Sequence, residues 1–294
     1  MEATVSRPLS PDWEISRGRP KDAMKELVVI SGKGGTGKTS LTAAFASISK
    51  NRVLCDADVD AADLHLLMAP NIVKRTAFQG GGVAVIDPER CSQCGLCSEL
   101  CRFDAVRDDF HIDALDCEGC GVCVDFCPEG AIDFPVKTCG EWYISHTRFG
   151  PMVHARLGIA EENSGKLVTL VRQQAKKLAE DSNLDLIITD GPPGVGCPVI
   201  ASMGGATAVL IVTEPTVSGL HDMDRVVQLA NHFKMPCMVC INKWDLNPEQ
   251  TMAVQRAAEK KQIPVFGKIP FDPAFTESMI EGKNIIEYDD QSEA

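Results

Sequence analysis

The sequence lacks the marks of several large classes of protein. No apolar run approaches the roughly 18 residues of a membrane-spanning helix, so none is predicted. The first 25 residues lack the apolar core of a secretory signal, which favours a reducing, cytoplasmic location. Basic residues are scarce, because 29 Lys and Arg stand against 41 Asp and Glu, for a net charge of −12. This balance argues against nucleic acid as a main partner, since Lys and Arg supply the affinity for phosphate.

Cysteine, by contrast, is abundant. The chain has 294 residues and thirteen cysteines, an odd number that fits complete disulfide pairing poorly. Eight of them lie between Cys91 and Cys127. Residues 87–135 are also acidic, with twelve Asp and Glu against three Arg and no Lys, a net charge of −9. We interpret residues 82–135, the cysteine-rich segment, as a small inserted domain.

The rest of the chain alternates short β-rich runs with helical stretches. Strands are predicted at residues 27–31, 52–56, 184–189, 208–213, 238–241 and 265–269, and a strand or hairpin at 142–149. Helices are predicted at residues 39–50, 166–180 and 221–233. This alternation predicts an α/β fold with a parallel sheet covered on both faces. Its domain would comprise residues 24–81 and 136–294. Residues 1–23 are predicted to be a flexible extension, with a non-native leader or an upstream start as alternatives.

A phosphate-binding loop follows the first predicted strand. Residues 32–39 read GKGGTGKT and contain the pattern G-x-x-x-x-G-K-T at the start of a predicted helix. The glycines let backbone N–H groups surround phosphates, and the helix N-terminus adds positive potential. Lys38 is expected to reach the β- and γ-phosphates, and the Thr39 hydroxyl to bind Mg²⁺. The candidate nucleotide-binding residues here are Gly32, Lys33, Gly34, Gly35, Thr36, Gly37, Lys38, Thr39 and Ser40.

The additional lysine, Lys33, distinguishes this phosphate loop from those with the general pattern alone. Gly32-Lys33-Gly34-Gly35 resembles the deviant phosphate loop of the MinD/ParA/Mrp P-loop ATPases, which are related to the nitrogenase iron protein. The resemblance implies a nucleotide-sandwich dimer, either a homodimer or a heterodimer with a paralogous ATPase. It also implies that Lys33 acts in catalysis on the partner subunit's nucleotide.

Two carboxylate motifs match the same family. Residues 55–60, CDADVD, look like its D-x-D motif, which implies that Asp58 orients the attacking water and that Asp56 lies near Mg²⁺. Residues 186–194, LIITDGPPG, resemble a Walker B strand with its switch loop, which implies that Asp190 holds a Mg²⁺-bound water. Helix N-capping is the alternative role for Asp58 and Asp60.

Base recognition has two interpretations. Asn242-Lys243-Trp244-Asp245 follows an apolar run and matches the N-K-x-D guanine motif of GTPases. In the resembled ATPases an Asn at this point contacts adenine instead, together with a later segment that here begins at Pro270. We favour ATP, because Lys33 and the D-x-D motif belong to the ATPase branch.

The cysteine-rich segment contains two ferredoxin-type runs. They are Cys91-x₂-Cys94-x₂-Cys97-x₃-Cys101 and Cys117-x₂-Cys120-x₂-Cys123-x₃-Cys127. In bacterial ferredoxins the fourth Cys of each run binds the other cluster. The spacing therefore assigns one 4Fe-4S cluster to Cys91, Cys94, Cys97 and Cys127, and a second to Cys101, Cys117, Cys120 and Cys123. The insert is expected to have a ferredoxin-like α+β fold. Zinc is the alternative for C-x₂-C pairs, but no His stands at finger spacing.

The remaining cysteines carry weaker predictions. Cys55, Cys237 and Cys240 lie in apolar runs and are predicted to be buried structural thiols. Cys197 lies in the switch loop, where the nitrogenase iron protein has a cluster-binding Cys. It is therefore a candidate for an extra metal or switch thiol, with Cys139 as a candidate second ligand.

Three functions are open at this point. The first is an ATPase whose dimer switching is coupled to electron transfer through the two 4Fe-4S clusters, towards a redox or cofactor-maturation partner. The second is an assembly or carrier ATPase for iron–sulfur clusters or metallocofactors, and the third is a redox-sensing switch that binds a partner. Acidic residues 287–294 argue against binding to anionic membranes.

Overall fold

The computed structural model describes residues 24–114, 116–158, 164–289 and 291–292. The expected extension, residues 1–23, lies outside them. The strands are β1 (Lys25–Ser31), β2 (Arg52–Asp56), β3 (Asn71–Gly82), β4 (Val85–Ile86), β5 (Ile132–Asp133), β6 (Val136–Thr147), β7 (Gly150–Leu157), β8 (Leu186–Pro193), β9 (Ala208–Thr213), β10 (Cys237–Asn242) and β11 (Val265–Ile269).

The helices are α1 (Lys38–Ile48), α2 (Leu64–Met68), α3 (Leu96–Leu100), α4 (Val122–Asp125), α5 (Ser164–Asp181), α6 (Cys197–Met203), α7 (Val217–His232), α8 (Pro248–Lys260), α9 (Ala274–Ile280) and α10 (Ile285–Tyr288). Among the described residues, none of these helices has the length and apolar character needed to cross a membrane.

The larger sheet has nine strands in the order β11-β10-β9-β1-β8-β2-β7-β6-β3. The seven strands from β11 to β7 are parallel, which confirms the predicted α/β fold. Alternate residues of these strands enter opposite cores. Val28 and Val53 pack on the side of α5 to α8, whereas Leu54 packs with α1 and α2. Helices therefore cover both faces, as expected.

One edge of the sheet differs from the prediction of a parallel sheet. The strand or hairpin predicted at residues 142–149 is the β6–β7 hairpin, and β6 runs antiparallel to both β7 and β3. No strand was predicted at β3. The first five residues of this outer strand are all exposed, so they carry no regular apolar alternation that would reveal a strand.

The cysteine-rich segment extends from the β3–β6 pair. It contains the two-stranded sheet β4–β5, the short helices α3 and α4, and a small core that includes Ala105, Val106 and Ile132. It packs closely on the end of β3, because a Cβ atom on Gly119 would lie 2.7 Å from the carbonyl oxygen of Gly82. Gly119 also has a φ of +60°, so both space and conformation require glycine there.

Candidate functional site

The phosphate loop connects β1 to α1 at the edge where the parallel strands end, the usual ligand site of such sheets. Gly35 and Gly37 have φ angles of +79° and +88°, which side chains rarely tolerate. A Cβ atom on Gly37 would also lie 2.3 Å from Nδ2 of Asn242. Glycine at position 37 therefore lets the loop and the end of β10 meet.

A cavity of about 530 Å³ opens beside this loop, within the range of small-molecule sites. Its walls include the predicted residues Gly34, Gly35, Gly37, Lys38, Thr39, Ser40, Asp58, Asn242, Lys243 and Pro270. Of the other predicted residues, all within the described ranges, Gly32, Lys33, Thr36, Asp56 and Asp190 lie outside its walls. Sequence reasoning missed an apolar side of the cavity that includes Leu66, Phe275 and Met279.

Lys38 lies at the centre of a buried charge cluster. Its Nζ is 3.0 Å from Oδ1 of Asp190 and 3.2 Å from Oδ2 of Asp58. The hydroxyl of Thr39 donates to Oδ2 of Asp190 at 2.6 Å. Burial lowers the pKa of Lys38, but the Asp190 and Asp58 carboxylates outweigh it and raise the pKa overall. The fold thus keeps a charged ammonium beside the phosphate loop.

Asp56 is fully buried next to this cluster. Its Oδ1 accepts a hydrogen bond from the Asp58 backbone N–H at 3.2 Å, whereas Oδ2 has no hydrogen-bond partner among the described residues. Burial and the charge of Asp190 raise the pKa of Asp56 well above its usual value. Because an unpaired buried carboxylate oxygen is costly, the site fits a bound Mg²⁺ or one of its waters near Asp56, Asp190 and Thr39.

The Asn242–Asp245 motif contacts both the phosphate loop and the segment after β11. Nδ2 of Asn242 donates to the carbonyl of Thr36 at 2.8 Å, which holds it against the phosphate loop. Asp245 accepts the backbone N–H of Phe271 at 2.6 Å and does not line the cavity. Its carboxylate is therefore used to anchor the segment after β11, whereas a guanine-reading Asp has to face the base.

The eight cysteines of the cysteine-rich segment separate into two groups around two further cavities. One cavity is lined by Cys91, Cys94, Cys97 and Cys127. The other is lined by Cys101, Cys117, Cys120 and Cys123. Each group combines three cysteines of one run with the fourth of the other run, as the spacing predicted.

The thiols of each group lie close together without converging on a point. Burial, followed by the neighbouring thiols Cys117 and Cys120, raises the pKa of Cys123 to about 11. In the described part of the chain, no three His, Cys, Asp or Glu side chains could hold one metal ion. Four thiols around a shared volume fit a cage of four irons, each bound by one thiolate, better than a single tetrahedral zinc.

Comparison with known proteins identifies the family. The family of the CobQ/CobB/MinD/ParA nucleotide-binding domain, CbiA, matches residues 27–285. The chain belongs to this family. An uncharacterized protein of Methanocaldococcus jannaschii is 35% identical to it over 250 residues, which cover 84% of each protein.

Solved structures of low sequence identity share the fold. The septum site-determining protein MinD of Pyrococcus horikoshii, complexed with Mg-ADP, matches with a TM-score of 0.56 and 18% identity over 92% of this chain and 90% of that one. A chain of the MinC:MinD cell division protein complex of Aquifex aeolicus matches with a TM-score of 0.54 and 19% identity, over 90% of this chain and 88% of that one. The family match and the phosphate loop make this chain an ATP-binding ATPase of the MinD/ParA type. The solved structures show that it has the same fold.

In this ATPase, Lys33 does not line the cavity of its own chain. Its Nζ is 3.3 Å from the Ser218 hydroxyl and 3.5 Å from a carboxylate oxygen of Glu214. The other oxygen of Glu214 is 2.6 Å from Nζ of Lys243. Sequence reasoning missed Glu214 because no motif marks it. Only the adjacency of β1 and β9 brings it to the phosphate loop.

The five cysteines outside the segment lie in different environments. Cys55, Cys237 and Cys240 are buried in strands, as expected, and burial raises the pKa of Cys240 to about 12. Cys139 is buried in β6, where its thiol is 3.1 Å from the carbonyl of Gly80. Cys197 is exposed at the first turn of α6, and its role as an extra metal or switch thiol stays a prediction.

Proposed function

We propose that this ATPase couples ATP binding and hydrolysis to redox chemistry at two 4Fe-4S clusters held by the cysteine-rich segment. The observation that supports this most is the division of eight cysteines into two groups of four around separate cavities. Clusters bound there would supply one-electron transfer. The β3–β6 pair connects these cavities to the sheet that carries the nucleotide site.

Each polar residue of the nucleotide site has a separate task in this proposal. Lys38 would bind the β- and γ-phosphates, and Thr39, Asp56 and Asp190 would together hold Mg²⁺ and its waters. Asp58 lines the cavity and contacts Lys38, a position from which its carboxylate can orient the attacking water. The sequence predicted a loop directly after Asp190, but β8 continues to Pro193, so the loop comprises the residues between β8 and α6. Hydrolysis then removes the γ-phosphate, and this shorter loop can rearrange.

A dimer completes the proposed mechanism. Lys33 does not line the cavity of its own chain, which supports action on the nucleotide of a second subunit, either an identical chain or a paralogous ATPase. The likeness to MinD in a MinC:MinD complex supports a further protein partner. The acidic cysteine-rich segment favours a basic redox or maturation protein in that role.

A carrier function is the second candidate. Cys94 and Cys120 are exposed, so clusters bound there could be reached by a client protein. Whether the clusters stay bound to the protein distinguishes the two functions. Redox clusters should remain on the protein during incubation with ATP and an apo-acceptor, whereas cargo clusters should leave.

The proposal is tested with protein purified without oxygen. We expect about eight irons and eight sulfides per chain, from two 4Fe-4S clusters. We also expect different ATPase rates for the oxidised and the dithionite-reduced protein. Equal rates in both states would count against coupling, and zinc without sulfide would exclude the clusters.

A further inference from the structure

We propose that Glu214 holds Lys33 within its own subunit and releases it when a partner subunit binds. This inference rests on the proposed dimer, in which Lys33 acts on the nucleotide of the other chain. Glu214 is then a positioning residue, because it acts through Lys33 and does not line the nucleotide cavity.

The contacts show a carboxylate shared by two lysines. One oxygen of Glu214 lies 3.5 Å from Nζ of Lys33, and the other lies 2.6 Å from Nζ of Lys243. The Glu214 side chain is 15% exposed, and that of Lys33 is 34% exposed. Ser218 adds a hydroxyl 3.3 Å from the Lys33 ammonium. The lysine is thus held from two sides while remaining open to solvent.

The fold fixes the backbone of Lys33 but leaves its side chain free to turn. The hydroxyl of Ser31 donates to the carbonyl of Lys33 at 2.7 Å. A Cβ atom on Gly32 would lie 2.4 Å from Cβ of Asp222, so α7 packs directly on the start of the loop. Release of Lys33 therefore requires only side-chain rotation away from Glu214.

Lys243 lowers the free-energy cost of releasing Lys33 from Glu214. When Lys33 leaves, the Glu214 carboxylate keeps its shorter ion pair with Lys243, so no partly buried charge is left unpaired. Release breaks one partly exposed ion pair and one hydrogen bond. Such contacts change the equilibrium constant between the held and the released lysine by only a few-fold. In a symmetric dimer each of the two subunits releases its own Lys33. The two fold-changes therefore multiply in the dimer dissociation constant.

The test compares ATP-dependent dimerisation of the full-length protein and its Glu214→Gln variant by sedimentation velocity. Glutamine keeps the shape of the side chain and removes its charge. We expect the dimer dissociation constant to fall by roughly three-fold to ten-fold, with a smaller difference at high salt. The matched control is Asp224→Asn, which removes a carboxylate paired with Lys261 at 2.6 Å, and it should leave dimerisation unchanged.

Lys33→Ala and the double variant Lys33→Ala/Glu214→Gln separate this inference from the proposed function. Lys33→Ala should weaken the dimer, and adding Glu214→Gln should then change nothing further. If Lys33→Ala leaves dimerisation and ATPase rate intact, the proposed role across the dimer is wrong. If Lys33→Ala weakens the dimer but Glu214→Gln does not strengthen it, the role of Glu214 is wrong. Ser218→Ala gives a second check, since it should strengthen the dimer by a smaller factor.

Discussion

The nucleotide site and the cysteine-rich segment are built in opposite ways. Lys38, Asp58 and Asp190 are buried and pair with one another, and a nine-stranded sheet holds them in place. The cysteine-rich segment has about 50 residues and a small core, and its eight thiols are intermediate or exposed. A single hydrophobic core supplies only a few kcal/mol below about 70–80 residues, so natural domains of that size commonly add a metal or disulfides. The comparison teaches that packing preforms the nucleotide site, whereas the cysteine-rich segment has little packing around its thiols, as expected of a site completed by the proposed clusters.

The largest expected effect concerns the preformed site. Lys38→Ala removes the cation that faces the phosphates, so the ATPase rate should fall by about 100-fold or more. Because the cysteine-rich segment is a separate structure, iron content should stay the same. Steady-state ATPase assays and iron analysis check this, and a parallel loss of iron would show that the two regions are not separable.

The next prediction concerns the proposed cluster ligands of the cysteine-rich segment. Cys94→Ala removes one exposed thiol, so iron should fall from about eight to about four per chain, and the segment should become more sensitive to protease. ATP affinity should change little. The control is Ser92→Ala, an exposed neighbour in the same loop, which should keep all the iron. Full iron content in Cys94→Ala would contradict the ligand assignment.

A smaller effect is expected at Asp56. Its folded pKa is raised above the unfolded value, so the folded state binds more protons and the free energy of unfolding falls as pH rises from about 4 towards that raised pKa. Without Mg²⁺ at pH 7, Asp56→Asn should therefore stabilise the protein, by about 1–3 kcal/mol.

Thermal unfolding with and without Mg²⁺ measures this effect. Mg²⁺ with ATP should stabilise the wild-type protein more than Asp56→Asn. If Asp56→Asn is less stable than the wild type in Mg²⁺-free buffer at pH 7, burial of the Asp56 carboxylate does not lower the free energy of unfolding as predicted.

The smallest effect is expected at Asp245. Asp245→Ala frees the backbone N–H of Phe271 and loosens the segment beside the cavity, so ATP affinity should fall by roughly two-fold to ten-fold. Calorimetric titration with ATP and GTP measures it, with the exposed Glu249→Ala as control. Selective loss of GTP binding, with ATP binding intact, would restore the guanine interpretation.

The same contrast explains what the sequence could predict. The strands Arg52–Asp56, Ala208–Thr213 and Val265–Ile269 were predicted with their observed bounds, because each is a compact run bounded by polar or turn residues. The exposed edge strand β3 has no such pattern and was missed. Phosphate-loop and cysteine motifs are local in sequence, and so could be recognised. Glu214 could not, because its lysine partners come from two different strand ends that meet only in the folded sheet.

The most direct test of the proposed coupling between the two regions is the reduction potential of the proposed clusters with and without Mg-ATP. If ATPase activity depends on redox state through a binding equilibrium, linkage requires nucleotide to shift the potential in return. A typical coupling free energy of about 1–3 kcal/mol corresponds to a shift of roughly 40–130 mV for one electron. We predict a shift of that size in an EPR-monitored titration, and its loss in Lys38→Ala. Identical potentials with and without Mg-ATP would contradict the account.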